Sequence, residues 1–114
     1  MPHAIRVHQT GGPEVLRWEA VDVGAPGPGE IRVRHTRVGL NYIDIYYRTG
    51  LYPAPTPFVP GFEAAGVVEA VGPGVSDLKE GDRIAYANGP LGAYAGTRLL
   101  PADRAGPLPA SITE

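Results

Sequence analysis

The sequence predicts an all-β domain with one short inserted helix, on three observations. Short apolar-alternating or branched runs recur along the 114 residues. Turn signals separate them at the roughly eight- to twelve-residue spacing of sandwiches and barrels. The 16 glycines and 13 prolines, about a quarter of the chain, fall between these runs. That placement reads as turn punctuation rather than disorder. Only one stretch, 42–49, carries helix signals at both ends.

Taken in order, residues 4–8 alternate and predict a first strand. Gly11-Gly12-Pro13 marks a turn, and 15–23, carrying Trp18, predicts a second strand that closes an N-terminal hairpin. Residues 24–29 are a glycine-proline loop. Residues 30–40 hold the strongest strand signal: Ile31, Val33 and His35 share one face, Arg32, Arg34 and Thr36 the other. With no second ligand type beside it, His35 reads as a packed, hydrogen-bonded histidine. The proline-rich run 52–61 excludes helix and central strand and predicts a stiff extended loop. Residues 62–71 predict a strand whose small centre, Ala64-Ala65-Gly66, admits another backbone at close range. Turns at 72–74, 78–82 and 88–90 flank a strand at 83–87. A last strand is expected over 94–100, closed by Pro101, and 107–114 reads as an exit linker.

Composition excludes several functions. Formal net charge is −2 with no like-charge block, which leaves no footprint for nucleic acid or an anionic membrane. There is no cysteine, so disulfides, thiolate metal sites and a cysteine nucleophile are ruled out. The same absence fits a cytoplasmic protein. The N-terminus has no secretory pattern, and no apolar run is long enough to span a bilayer. His3, His8 and His35 are not at metal spacing. Gly72-Pro73-Gly74 lacks the following helix that a dinucleotide loop requires.

The chemistry concentrates in 38–52, which holds four of the six tyrosines together with Asn41, Asp44 and Arg48. Side chains that are half apolar and half hydrogen-bonding suit a flat small molecule. Asn41 is a good N-cap, Asp44 a capping acid three residues on, and Gly50 a left-handed stop. They predict a helix over 42–49, with Ile43, Tyr46 and Tyr47 on a shared face.

Three blocks in this sequence resemble the medium-chain dehydrogenase/reductase superfamily. They are Val38-Gly39-Leu40-Asn41-Tyr42-Ile43-Asp44, then Pro60-Gly61-Phe62-Glu63-Ala64-Ala65-Gly66-Val67-Val68, then Gly81-Asp82-Arg83-Ile84. Gly11-Gly12-Pro13-Glu14-Val15-Leu16 and Tyr47-Arg48-Thr49-Gly50-Leu51-Tyr52-Pro53 are similar to its NADPH:quinone oxidoreductase (zeta-crystallin-like) branch. The resemblance spans essentially the whole chain. It implies that 1–114 is the GroES-like catalytic domain, a partly open β-barrel, of a longer enzyme whose Rossmann domain would follow. The chain therefore reads as a truncated domain.

The resemblance further implies hydride transfer from NADPH to a quinone or related conjugated carbonyl. Asn41, Tyr46 and Tyr52 would border nicotinamide and substrate as the catalytic group. Asn41, Tyr46 and Arg48 would bind the cofactor, and Asp44 would be structural. Asn41 and Phe62 stand where zinc-dependent cousins carry cysteine and histidine, so no metal is expected. A truncated domain would expose apolar surface and self-associate, as a homodimer for example. Two other readings remain open: a non-catalytic GroES-like co-chaperone or binding module, and an enoyl-thioester reductase domain.

Overall fold

A computed structural model describes residues 2–87 and 89–109. Two antiparallel sheets carry the chain. Strand β1 (His3–Val7) pairs with β2 (Leu16–Ala20), with Ile5 opposite Trp18. A 3₁₀ turn, Pro13–Val15, joins them. The larger sheet comprises β3 (Glu30–Val38), β4 (Ala64–Val71), β5 (Arg83–Tyr86), β6 (Thr97–Pro101) and β7 (Gly106–Pro107). Its order is β6-β3-β4-β5-β7. Strand β1 ties the sheets together: Ile5 N–H donates to Tyr94 O at 2.8 Å, and Val7 and Phe58 exchange backbone bonds at 2.8 and 3.1 Å. The sheets do not close, which is the partly open barrel that the sequence predicts.

The alternation along β3 does what its spacing requires. Ile31 and Val33 are fully buried and meet Val68, Ile84 and Leu100 in the main core. A smaller cluster of Val7, Val15 and Phe58 lies against Tyr47 of the helix. The helix α1 (Tyr42–Thr49) has the predicted bounds. The Asp44 carboxylate accepts the Asn41 N–H at 3.0 Å, and Gly50 stops the helix at φ 90°.

Several boundaries differ. The second strand begins at Leu16 and ends at Ala20, because the Gly12-Pro13 turn runs on into a 3₁₀ turn. The third ends at Val38, β4 starts at Ala64 and β5 stops at Tyr86. The last strand starts at Thr97, not Tyr94. Residues 94–96 bond to three separate segments instead of one ladder: Tyr94 N–H to Pro60 O, Ala95 N–H to Ala93 O and Gly96 N–H to His3 O. The exit linker is partly strand, with Pro107 opposite Ile84; residues 110–114 lie outside the described residues, as does Asn88 of the third turn.

His35 is the packed histidine that its setting predicts. Nδ1 donates to Ala95 O at 2.7 Å, Nε2 accepts the Tyr86 hydroxyl at 2.9 Å, and Arg98 donates to the same hydroxyl oxygen at 3.3 Å. Burial holds its pKa below the ordinary value, opposed by the Ala95 bond and assisted by the Arg98 charge. A proton on Nε2 would set two cations on one phenol oxygen. The unfolded chain therefore binds this proton more readily than the folded one, so stability rises with pH between the folded and unfolded values. Denaturant midpoints are expected to hold above the unfolded value of about 6.5 and to fall below it. His35→Gln should flatten that dependence; an unchanged profile in the variant would assign the loss to other groups.

Candidate functional site

Helix α1 hangs on the outside of the barrel and divides the predicted site residues between two of its faces. Tyr42, Ile45 and Arg48 recur at threefold spacing and, with Asn41, Leu16, Leu40 and Tyr94, line an open cleft of about 430 Å³. Asn41 and Arg48 are thus brought together. Arg48 is half-buried, and its Nε donates to Gly11 O at 3.1 Å. That leaves the rest of the guanidinium at the cleft.

Tyr46 and Tyr52 lie round the helix from this cleft and do not line it. Their rings meet edge to face, with centroids 5.5 Å apart. Tyr47 touches Tyr52 at 5.7 Å and Phe62 at 5.4 Å, so four rings form one cluster. The Tyr52 N–H donates to Tyr46 O at 3.2 Å, which joins the start of the proline-rich loop to the helix end. Tyr46 and Tyr52 remain 38% and 43% exposed. Neither hydroxyl makes a hydrogen bond among the described residues. Of the predicted shared face, only Tyr47 packs inward; Ile43 and Tyr46 are exposed.

The other two tyrosines are structural. Tyr86 is tied into the His35–Arg98 chain. The Tyr94 hydroxyl donates to Asp44 Oδ2 at 2.7 Å, and its pKa is pushed up, first by burial and then by that bond to a carboxylate. Tyr94 walls the main cleft and also a second, apolar one of about 360 Å³ that holds Trp18, Val38 and Leu40. Tyr94 is the residue that sequence reasoning missed. Its one local signal is a large side chain set among small ones, Gly92-Ala93-Tyr94-Ala95-Gly96.

Among the described residues no three His, Asp or Glu side chains gather as a metal site. No helix among them is long and apolar enough to cross a membrane. Exposed apolar side chains crowd the helix side: Leu40 80%, Tyr42 79% and Leu51 66%.

Residues 27–110 match the family described as alcohol dehydrogenase GroES-like domain. The chain is 50% identical over 113 residues to a quinone oxidoreductase of Pseudomonas aeruginosa, covering 98% of this chain and 35% of that protein. It is 49% identical over 109 residues to a 2-haloacrylate reductase of a Burkholderia species, covering 91% of this chain and 32% of that one. The Escherichia coli quinone oxidoreductase, solved in complex with NADPH, superposes with a TM-score of 0.94 at 46% identity, over 97% of this chain and 34% of that chain. The chain thus spans about a third of the length of the relatives it matches. It belongs to the alcohol dehydrogenase GroES-like domain family, in the quinone oxidoreductase branch of the medium-chain dehydrogenase/reductase superfamily.

Proposed function

We propose that this chain is the catalytic domain of a zinc-free, cytoplasmic, NADPH-dependent reductase that delivers hydride to a quinone or related conjugated carbonyl. One observation carries the reading beyond the family. Of the tyrosines, Tyr46 and Tyr52 keep exposed rings in contact and hydroxyls with no partner among the described residues, beside the helix that Asn41 caps. A neutral phenol donates a hydrogen bond at pH 7. It would steady charge developing on a carbonyl oxygen as hydride arrives. When bound, NADPH supplies the hydride itself. Asn41 and Arg48 would hold it from the cleft they share, Tyr46 would meet a different part of it from round the helix, and Tyr52 would face the substrate oxygen. The aromatic cluster would cover one side of the reacting rings and exclude water.

A chimera tests this: the present chain in place of the matching segment of the E. coli enzyme. Turnover of quinones above enoyl thioesters supports the reading. Preference for the thioester, or no reduction of either, would replace it. Elemental analysis of the chimera is expected to find no zinc in this domain, since the 114 residues supply no cysteine and carry Asn41 and Phe62 where zinc-dependent cousins carry ligands; one retained zinc per chain with activity lost on chelation would contradict this.

The 114 residues alone should bind NADPH weakly. Among the described residues no glycine-rich loop opens a helix, so a pyrophosphate lacks its main backbone donors and the helix dipole. Micromolar binding in a titration, with turnover, would relocate the cofactor site. The exposed apolar face predicts self-association of the isolated chain. A monomer in sedimentation at high concentration, without apolar-dye binding, would count against it.

A further inference from the structure

A small cavity of about 40 Å³ lies under the main cleft, lined by Leu16, Asp44, Ile45, Arg48, Pro60 and Tyr94. Asp44 is the one buried residue of α1, at 4% exposure. Its two oxygens are treated unequally. Oδ2 accepts both the Tyr94 hydroxyl and the Asn41 N–H, at 2.7 and 3.0 Å. Oδ1 is buried and has no partner among the described residues. Buried polar atoms are nearly always satisfied, and a charged one left bare costs more than a neutral one. Something must meet Oδ1 in that cavity.

The lining decides what. Arg48 stands four residues on, on the same face, yet does not bond to Oδ1. A metal cation would be repelled by the guanidinium, and an anion by the carboxylate. A small neutral molecule that both donates and accepts suits the two together. A cavity needs on the order of 15 Å³ to admit one water. We propose that the cavity is a binding site for a buried water, which donates to Asp44 Oδ1 and accepts from the Arg48 guanidinium. Asp44 then acts as a positioning residue. Through Tyr94 it fixes the ring that walls both clefts, and through the water it fixes the guanidinium that lines the larger one.

The water site is tested on the 114-residue chain without cofactor, so its outcome does not depend on the proposed reaction. A high-resolution crystal structure is expected to hold one water within about 2.6–3.2 Å of both Asp44 Oδ1 and an Arg48 nitrogen. An empty cavity, a metal ion, or a direct Arg48 contact to Oδ1 would overturn the proposal. A double-mutant cycle adds a solution measurement. Asp44→Asn places a donor where Oδ1 accepted, and Arg48→Met removes the other partner. Coupled through one water, the two variants together should lower the melting temperature by less than the sum of their separate losses. Strict additivity would show that the residues do not share a ligand. The crystallographic measurement needs no variant and decides the case if either substitution prevents folding.

Discussion

Replacing Tyr52 by phenylalanine in the chimera is expected to lower quinone turnover roughly ten- to a hundredfold while leaving the melting temperature in place. The two readouts separate because the hydroxyl takes no part in the packing that the ring makes. The ring contacts to Tyr46 and Tyr47, at 5.5 and 5.7 Å, survive the substitution. The hydroxyl has no bond to lose among the described residues, so no ordinary hydrogen bond of about 1 kcal/mol disappears. The expected rate loss lies at or somewhat below that for removal of a dedicated oxyanion donor. Tyr46→Phe should behave in the same direction and less strongly, since Tyr46 is the less exposed of the pair. Tyr94→Phe supplies the contrast. Its hydroxyl donates to a buried carboxylate, a bond worth roughly 1.5–3 kcal/mol, so stability falls there. Full turnover in both Tyr46→Phe and Tyr52→Phe would reduce the ring cluster to packing and leave the oxygen to Asn41 or to solvent.

What could be read from the sequence follows the range of the interaction that fixes each element. Helix α1 was legible to the residue because Asn41, Asp44 and Gly50 act within one turn of the chain they stop or start. The burial of Asp44 was not legible. The capping role explains an acid at that position, but its partner Tyr94 is fifty positions away. The last strand starts at Thr97 rather than Tyr94 for the same reason. The run 94–100 holds residues that suit a strand, yet 94–96 bond instead to Pro60, Ala93 and His3. Asn41 and Arg48 emerged together at one cleft, as helix spacing allows. Tyr46 and Tyr52 were grouped with them by closeness in sequence, and the helix sets them round its other side. For Tyr46 a wheel at 3.6 residues per turn carries that distinction; Tyr52 lies beyond the helix end at Thr49, where no wheel reaches.

Alanine at Gly66 or Gly72 is expected to destabilise the fold by about 3 kcal/mol, toward the upper end of overpacking losses. Both glycines have ordinary φ, so the demand is for space and not for a left-handed backbone. A Cβ on Gly66 would strike the Arg34 carbonyl oxygen and lie 2.8 Å from Val33 Cγ1. Gly66 pairs with His35 beside a register shift between His35 and Arg37, where an extra residue bends β3 toward its partner. A Cβ on Gly72 would strike the Gly27 carbonyl oxygen and lie 2.9 Å from that of Glu30. The nearest obstacle at each is a backbone carbonyl held by ladder or turn bonds, which cannot rotate aside as a side chain would. For a domain of this size the loss corresponds to a melting temperature lower by roughly 9–18 °C. Gly74→Ala is the control: φ is +85° and nothing lies within 4 Å, so only the left-handed penalty of about 1–2 kcal/mol applies. A Gly66→Ala loss no larger than the Gly74→Ala loss would refute the close-approach account. The two tight glycines also differ in consequence. Gly72 closes a turn remote from α1, whereas Gly66 sets the spacing of β4 from β3, whose end at Val38 pairs with Ala64 and leads directly to Asn41. In the chimera, Gly66→Ala is therefore expected to reduce turnover at temperatures where the protein is still folded, and Gly72→Ala to track stability alone.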